Sequence, residues 1–210
     1  MLFYVKSIYG KAYKEYAKEW QMLETIRSFI AFDIEDESIL KRISDVQKLL
    51  LGTGADLKLV EPKNIHITIR FLGNITSATV EKIGEELKKV QFTPFNVKIS
   101  GVGAFPNMHY PRVLWAGITE GALQLKEIFN QIEPRLRSLG FAPDPKGFSP
   151  HLTIARVKSG RNKAELAKCL NQNINYDFGT VWAACLRLKR SDLTPKGPIY
   201  STLKEHCPQK

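Results

Sequence analysis

A four-residue pattern occurs twice in this chain, as His66-Ile67-Thr68-Ile69 and as His151-Leu152-Thr153-Ile154. It constrains the fold more than any other feature. In an extended strand, residues two apart share a face, so each copy shows an imidazole and a hydroxyl on one side. The intervening positions are apolar, Ile65, Ile67, Ile69 and Phe71 in the first copy and Leu152 and Ile154 in the second. That alternation marks a strand with one face on a core. The fold must therefore supply two strands that each turn a histidine and a threonine away from their core.

A lone His-x-Thr is ordinary strand composition, because threonine is a good strand residue. Two copies in the same context are a stronger signal. The chain has only four histidines, and the other two, His109 and His206, lack a similar setting. The spacing of the motif histidines, 85 residues, puts each near the middle of its own half.

The rest of the pattern supports two halves of similar construction. A strand over 28–33 precedes a helix with Ile39, Leu40, Ile43, Val46 and Leu50 on one face, and Glu35, Asp36 and Glu37 suit its N-terminus. After the first motif strand, Val80, Ile83, Leu87 and Val90 fall at helical spacing, and strands follow near 95–106 and 112–118. Leu125, Ile128, Phe129, Ile132, Leu136 and Leu139 mark a third helix, with Pro134 expected to kink it and Gly140 to end it. The second motif strand, a short helix at 163–172 and strands near 177–190 and 198–204 complete the chain. The predicted class is α+β, a bilobal and pseudo-symmetric fold in which two antiparallel sheets flank a central cleft with helices outside.

The stretches Asn64-Ile65-His66-Ile67-Thr68-Ile69-Arg70-Phe71-Leu72-Gly73 and Phe148-Ser149-Pro150-His151-Leu152-Thr153-Ile154-Ala155-Arg156-Val157 resemble the paired motifs of the 2H phosphoesterase superfamily. Within it they are similar to the RNA 2′,3′-cyclic phosphodiesterases once called 2′-5′ RNA ligases. Arg27–Asp33 resembles that family's opening strand, Arg112–Gly117 its central strand and Ser191–Tyr200 its closing block. The resemblance implies the same bilobal fold and places one two-lobed domain over 27–206, with 1–26 as an extension of uncertain status.

It also implies roles. His66 would protonate the leaving 3′ oxygen, His151 would take a proton from water, and the product would be a 2′-phosphate; run backwards, the same machinery would join RNA ends. Residues alone leave the two histidines interchangeable. Histidine suits both roles because its unperturbed pKa of about 6.5 lets both protonation states coexist near neutrality. Thr68 and Thr153 fit as donors to the non-bridging phosphate oxygens, where transition-state charge gathers.

Four further residues are candidates for binding substrate. Family members carry an arginine five residues after the second histidine, here Arg156, yet strict alternation turns it away from His151, so a bulge or twist is required. Arg70 alternates onto the face of His66 and Thr68. Phe148 and Tyr110 lie in loops where either could stack on a base, with core packing as the alternative.

The formal charge is +10, clustered at Lys146, Arg156, Lys158, Arg161 and Lys163 and again at Arg187, Lys189, Arg190 and Lys196. Such a surface attracts polyanions, and RNA with 2′,3′-cyclic phosphate ends is the expected partner. No His-Glu-x-x-His, Cys-x-x-Cys or phosphate-cradling loop is present, so neither metal nor cofactor is expected. No apolar run approaches the roughly 20 residues that span a bilayer, which predicts a cytoplasmic protein without a membrane partner, expected to act as a monomer.

Three cysteines at wide spacing, Cys169, Cys185 and Cys207, suit reduced thiols, with Cys185 a small buried filler. Tyr9, Tyr13, Tyr16 and Trp20 fall at helical spacing; this segment would dock on the domain, bind a partner or membrane surface, or lie upstream of a true start at Met22. Two other functions compete with the cyclic phosphodiesterase: an RNA-end-binding module without turnover, and a related phosphodiesterase of a small cyclic nucleotide. An intact acid and base pair favours an enzyme over the module.

Overall fold

The computed structural model describes residues 25–145, 147–195 and 197–208. The aromatic stripe expected over residues 9 to 20 lies outside them, as do Lys146 and Lys196. In chain order the elements are β1 (Ile26–Asp33), α1 (Glu37–Gly52), β2 (Leu57–Leu59), a 3₁₀ turn (Pro62–Asn64), β3 (His66–Ile75), α2 (Ser77–Leu87), β4 (Phe95–Phe105), β5 (Val113–Glu120), α3 (Ala122–Ser138), β6 (His151–Val157), α4 (Lys163–Gln172), β7 (Asp177–Ala183), β8 (Leu186–Thr194) and β9 (Gly197–His206).

Local chemistry explains the helix starts. Asp36 caps α1, its carboxylate accepting from the amides of Ser38 and Ile39 at 2.9 and 3.1 Å, which satisfies donors that the first helical turn leaves unpaired. Thr76 does the same for α2 through the amide of Thr79. α3 runs through Pro134 to Ser138, and Gly140 follows at φ 91°, a conformation natural only to glycine.

The strands order as β7-β4-β5-β6-β3-β1-β8-β9, with β2 also on β6, and every pairing is antiparallel. The expected α+β architecture is borne out, and the strands form one nine-stranded antiparallel sheet whose two halves meet at a narrow seam. β3 and β6, the two motif strands, touch through one register pair, Ile67 opposite Leu152. Both side chains are 0% exposed. β3 and β2 share one edge of β6, and β5 occupies the other.

The halves interleave. β4 follows the first motif half in sequence but pairs with β5 and β7 in the half of the sheet that holds β6, while β8 and β9 return beside β1 in the other half. Helix packing crosses over likewise: α1 packs on β6, β7 and α4, and α3 on β3, β5 and α2. One continuous apolar core results, reaching from Ile26 to Leu188.

Two expectations need correction. The single strand expected over 177–190 is two, because β7 pairs with β4 at one end of the sheet and β8 with β1 towards the other. The reduced state expected of Cys185 is also overturned: Cys185 and Cys207 form a disulfide with Cα atoms 4.3 Å apart. The antiparallel register that sets Leu186 opposite His206 brings the next pair outward, 185 and 207, face to face. A cross-strand pairing of residues far apart in sequence is invisible to cysteine spacing. Cys169 is free and partly buried. No helix among the described residues is long and apolar enough to cross a membrane.

Candidate active site

Continued by one residue on either side, the Ile67–Leu152 pair sets His66 opposite Thr153 and Thr68 opposite His151. A local two-fold axis thus runs through the seam, and both motifs present their polar side chains beside it. Neither threonine hydroxyl has a protein hydrogen-bond partner among the described residues.

The imidazoles are held alike. His66 Nδ1 lies 2.8 Å from the carbonyl oxygen of Asn64, and His151 Nδ1 lies 2.7 Å from that of Ser149. A carbonyl can only accept, so Nδ1 carries the proton and donates, which leaves Nε2 of each ring as the free nitrogen. Asn64 is itself locked, its side-chain amide donating to the carbonyl of Pro198 at 2.9 Å. Aromatic rings flank both histidines: Phe29 and Tyr200 lie 4.7 and 5.4 Å from His66 between ring centroids, and Phe105 lies 4.9 Å from His151.

Burial depresses the pKa of both histidines, since it penalises the imidazolium. For His66 the Asn64 carbonyl and the Asp33 carboxylate work the other way, while Lys189 and His151 add to the depression. Asp33 is shared with Lys189 and Arg187, which bond its carboxylate.

Both motif strands carry a β-bulge at the same place. Ala31 pairs with Thr68 and Ile30 with Arg70, leaving Ile69 extra; Trp115 pairs with Thr153 and Leu114 with Ala155, leaving Ile154 extra. In each copy the bulged residue is the third after the histidine. A bulge advances the chain by one residue and reverses which face later side chains take. Position five after the histidine therefore joins the histidine's face, and the two strands show the same sequence of burial through that position.

This places Arg156 among the residues lining the cleft, and at the matching position of the first motif it places Phe71, which is 57% exposed. The carbonyl of bulged Ile154 accepts from the Val60 amide at 2.9 Å and from Nε2 of buried Gln47 at 2.8 Å.

The same bulge corrects the reading of Arg70. Its guanidinium turns away from the cleft to a nearly buried pairing with Glu133, and bonds the carbonyls of Phe71 and Ala142 at 2.8 and 2.6 Å. Alternation without the bulge is what suggests a cleft position. Phe148 stacks on Phe129 of α3 with centroids 5.2 Å apart and packs against the core, so the packing alternative describes it. Tyr110 lies in a separate groove, under the ammonium of Lys163.

The cleft itself measures about 520 Å³ and is lined by His66, Thr68, Thr153 and Arg156 together with Arg27, Lys58 and Tyr200. Three of these were not singled out from sequence. Lys58 sits on β2, too short to show a periodicity, and enters because it pairs with Arg156 in register. Arg27 and Tyr200 lie inside the stretches that carry the family resemblance. Glu61, bonded to Lys63 at 3.0 Å, is the one carboxylate in the lining.

Two imidazoles with free Nε2 atoms, two unpartnered hydroxyls and three cations describe a site for acid–base chemistry on a phosphate ester. Known proteins with similar chains agree. The family described as LigT like Phosphoesterase matches residues 34–115 and 118–200. A protein of Aeropyrum pernix is 40% identical over 164 residues, covering 78% of this chain and 93% of its own. One of Archaeoglobus fulgidus is 41% identical over 179 residues, covering 85% and 98%. Both are named RNA 2′,3′-cyclic phosphodiesterase. Among solved structures, TT0787 of Thermus thermophilus superposes with a TM-score of 0.69 at 26% identity, over 87% of this chain and 97% of that one. The fold of E. coli LigT complexed with 3′-AMP matches with a TM-score of 0.74 at 18% identity, over 89% and 100%. The chain belongs to the LigT-like phosphoesterase family.

Proposed function

We propose that this chain opens RNA 2′,3′-cyclic phosphate ends to 2′-phosphates by metal-independent transfer of two protons. The observation that carries the reading is the matched pair of Nδ1–carbonyl bonds, which leave two Nε2 atoms as proton carriers on either side of one axis. In the forward reaction His151 Nε2 takes a proton from water as its oxygen bonds to phosphorus. The bond from phosphorus to O3′ breaks, and His66 Nε2 delivers its proton to O3′. The same steps with a 5′-hydroxyl in place of water, its proton taken by His151 and P–O3′ again broken, join a cyclic end to that hydroxyl through a 2′–5′ linkage.

The assignment of acid and base has support in the site. Burial lowers both histidines, but Asp33 partly opposes it at His66, and among the described residues no carboxylate acts so on His151. Thr68 and Thr153 donate to the non-bridging oxygens, and Arg156, Lys58 and Arg27 offset the phosphate charge. Glu61 is paired with Lys63, and among the described residues no three ligating atoms of the cleft gather closely enough to hold a divalent ion. RNA is favoured over other phosphodiesters by the names of the relatives and by the charge of +10.

The test is hydrolysis of an oligoribonucleotide with a 2′,3′-cyclic end in EDTA. The intact protein should yield a 2′-phosphate, and His66→Ala and His151→Ala should each lose about 10² to 10⁴ in rate. Loss of activity in EDTA, restored by a divalent ion, would refute the metal-free mechanism. Binding of the cyclic end without turnover would leave an RNA-end-binding module, and turnover of small cyclic nucleotides alone would move the substrate.

A further inference from the structure

A second groove, of about 470 Å³, lies where β6 ends. Its walls are the 110–112 segment before β5, the 157–161 segment after β6, and Lys163 and Leu166 of α4. Among the described residues ten line it; four are cationic, Arg112, Lys158, Arg161 and Lys163, and none of the ten is acidic. No ion pair engages any of the four among the described residues.

That sets them apart from the other basic cluster. Arg187 bonds Asp33, Glu35 and Glu205, Lys189 bonds Asp33, and Arg190 bonds Asp192. There the protein neutralises its own charge; at the groove it does not. The groove is also shaped. Arg161 Nε donates to the carbonyl of Gly54 at 2.9 Å, Asn162 donates to the carbonyl of Thr53 at 3.0 Å, and the Lys163 ammonium sits 3.9 Å from the centre of the Tyr110 ring. Tyr110 is 69% exposed, so the ring and its cation stand open to solvent.

The groove adjoins the cleft through one strand. Arg156 lines the cleft, and the next two residues, Val157 and Lys158, line the groove. The cleft already holds Arg27, Lys58 and Arg156 for a terminal phosphate. Four further unpaired cations a few residues away need further negative charge, and a polynucleotide brings it as successive phosphates, with Tyr110 offering a stacking surface.

We infer that the Tyr110–Lys163 groove is a binding site for the single-stranded RNA that leads up to the reacting end, so that the protein favours chains of several nucleotides over short substrates. This rests on the cyclic phosphodiesterase reading and names the part of the substrate remote from the chemistry.

The experiment compares a dinucleotide and an oligoribonucleotide of about ten nucleotides, both ending in a 2′,3′-cyclic phosphate, for the intact protein and for a Lys158→Gln, Arg161→Gln, Lys163→Gln variant. The longer substrate should have the higher kcat/KM. The variant should lose about tenfold or more on it, mainly in KM, and stay within about twofold on the dinucleotide. The slope of log kcat/KM against log salt should shallow by about 2 on the longer chain, near 0.7 for each single-strand phosphate that the variant no longer neutralises. Equal loss on both substrates, or no loss on either, would overturn the proposal. Anisotropy of a labelled oligomer ending in a 2′-phosphate reads the same slope without turnover. If no cyclic end is opened at any length, the catalytic reading fails, and the anisotropy still decides whether the groove holds RNA.

Discussion

The tautomer of each histidine is set by a single backbone carbonyl, and this small contact decides what each ring can do. With Nδ1 donating, Nε2 is the atom left to act as base or acid in the proposed reaction, and burial holds both rings towards the neutral form. In the free protein both limbs of the pH–rate profile therefore move below the ordinary histidine value. In the proposed mechanism the rising limb follows deprotonation of His151 and the falling limb follows loss of the His66 proton, so kcat/KM should peak on the acid side of about pH 6.5. An optimum at or above about pH 7.5 would contradict the burial argument. Stability moves in the matching sense. A folded-state pKa below the unfolded one means that the unfolded chain binds more protons, so the contribution is full above about pH 6.5 and is lost as pH falls through the lowered values. Denaturant midpoints measured from about pH 7.5 down to 5 should decline.

The two arginines give a second test at the same scale. Arg156→Ala should lower kcat/KM about tenfold to a hundredfold without moving Tm, because its side chain faces the cleft. Arg70→Ala leaves Glu133 buried without its partner and should cost about 3 kcal/mol or more in stability. Thermal melts and kinetics on the two variants separate these outcomes, and a large kinetic loss with an unchanged melt for Arg70→Ala would return it to the site.

Among the elements, the motif strands depend on their bulges. A β-strand repeats every two residues, and only an extra residue lets position five share a face with positions zero and two. Ile69 and Ile154 are that residue in the two copies. The bulge in β6 is fastened by Gln47 from α1, a polar side chain among apolar ones on the buried face of that helix. Gln47→Leu removes the donor to two buried carbonyls and should destabilise by about 1–3 kcal/mol. If Gln47 positions the bulge, KM should also rise through misplacement of Arg156, whereas a purely structural role would leave KM unchanged.

At the C-terminal end, the Cys185–Cys207 disulfide staples β9 to β8 across a separation of 22 residues. Through loop entropy it should contribute about 3 kcal/mol. β9 carries Tyr200, a wall of the cleft, so reduction should lower Tm and weaken substrate binding together. Melting with and without reductant checks this.

The described residues should unfold as one cooperative unit because their halves exchange parts. β4 and α1 come from the first half of the chain and pack in the β6 half of the sheet, while α3 covers β3. Neither half can bury its apolar faces alone. Calorimetry and circular dichroism should report a single coincident transition, and a fragment ending near residue 120 should not fold. Two separate transitions would mean that the lobes are independent.

How much of this was readable from the chain varies with scale. The helices, the motif strands and the pairing of histidine with threonine come from local periodicity, which burial of one face imposes wherever an element packs. The α+β class and the family follow from motifs a few residues long. Arg70, Phe71 and Arg156 could not be sorted by periodicity, because the bulges that sort them arise from pairing with β1 and β5. Phe148 and Tyr110 sit in loops, where no period exists to follow.

The sequence by itself determined which residues carry the proposed chemistry, since an imidazole and a hydroxyl two apart on a strand share a face whatever surrounds them. Only the tertiary structure decided which cations join them, which cysteines meet and where Tyr110 looks. Those outcomes depend on register between strands far apart in the chain, and register is set by the packing of the whole core.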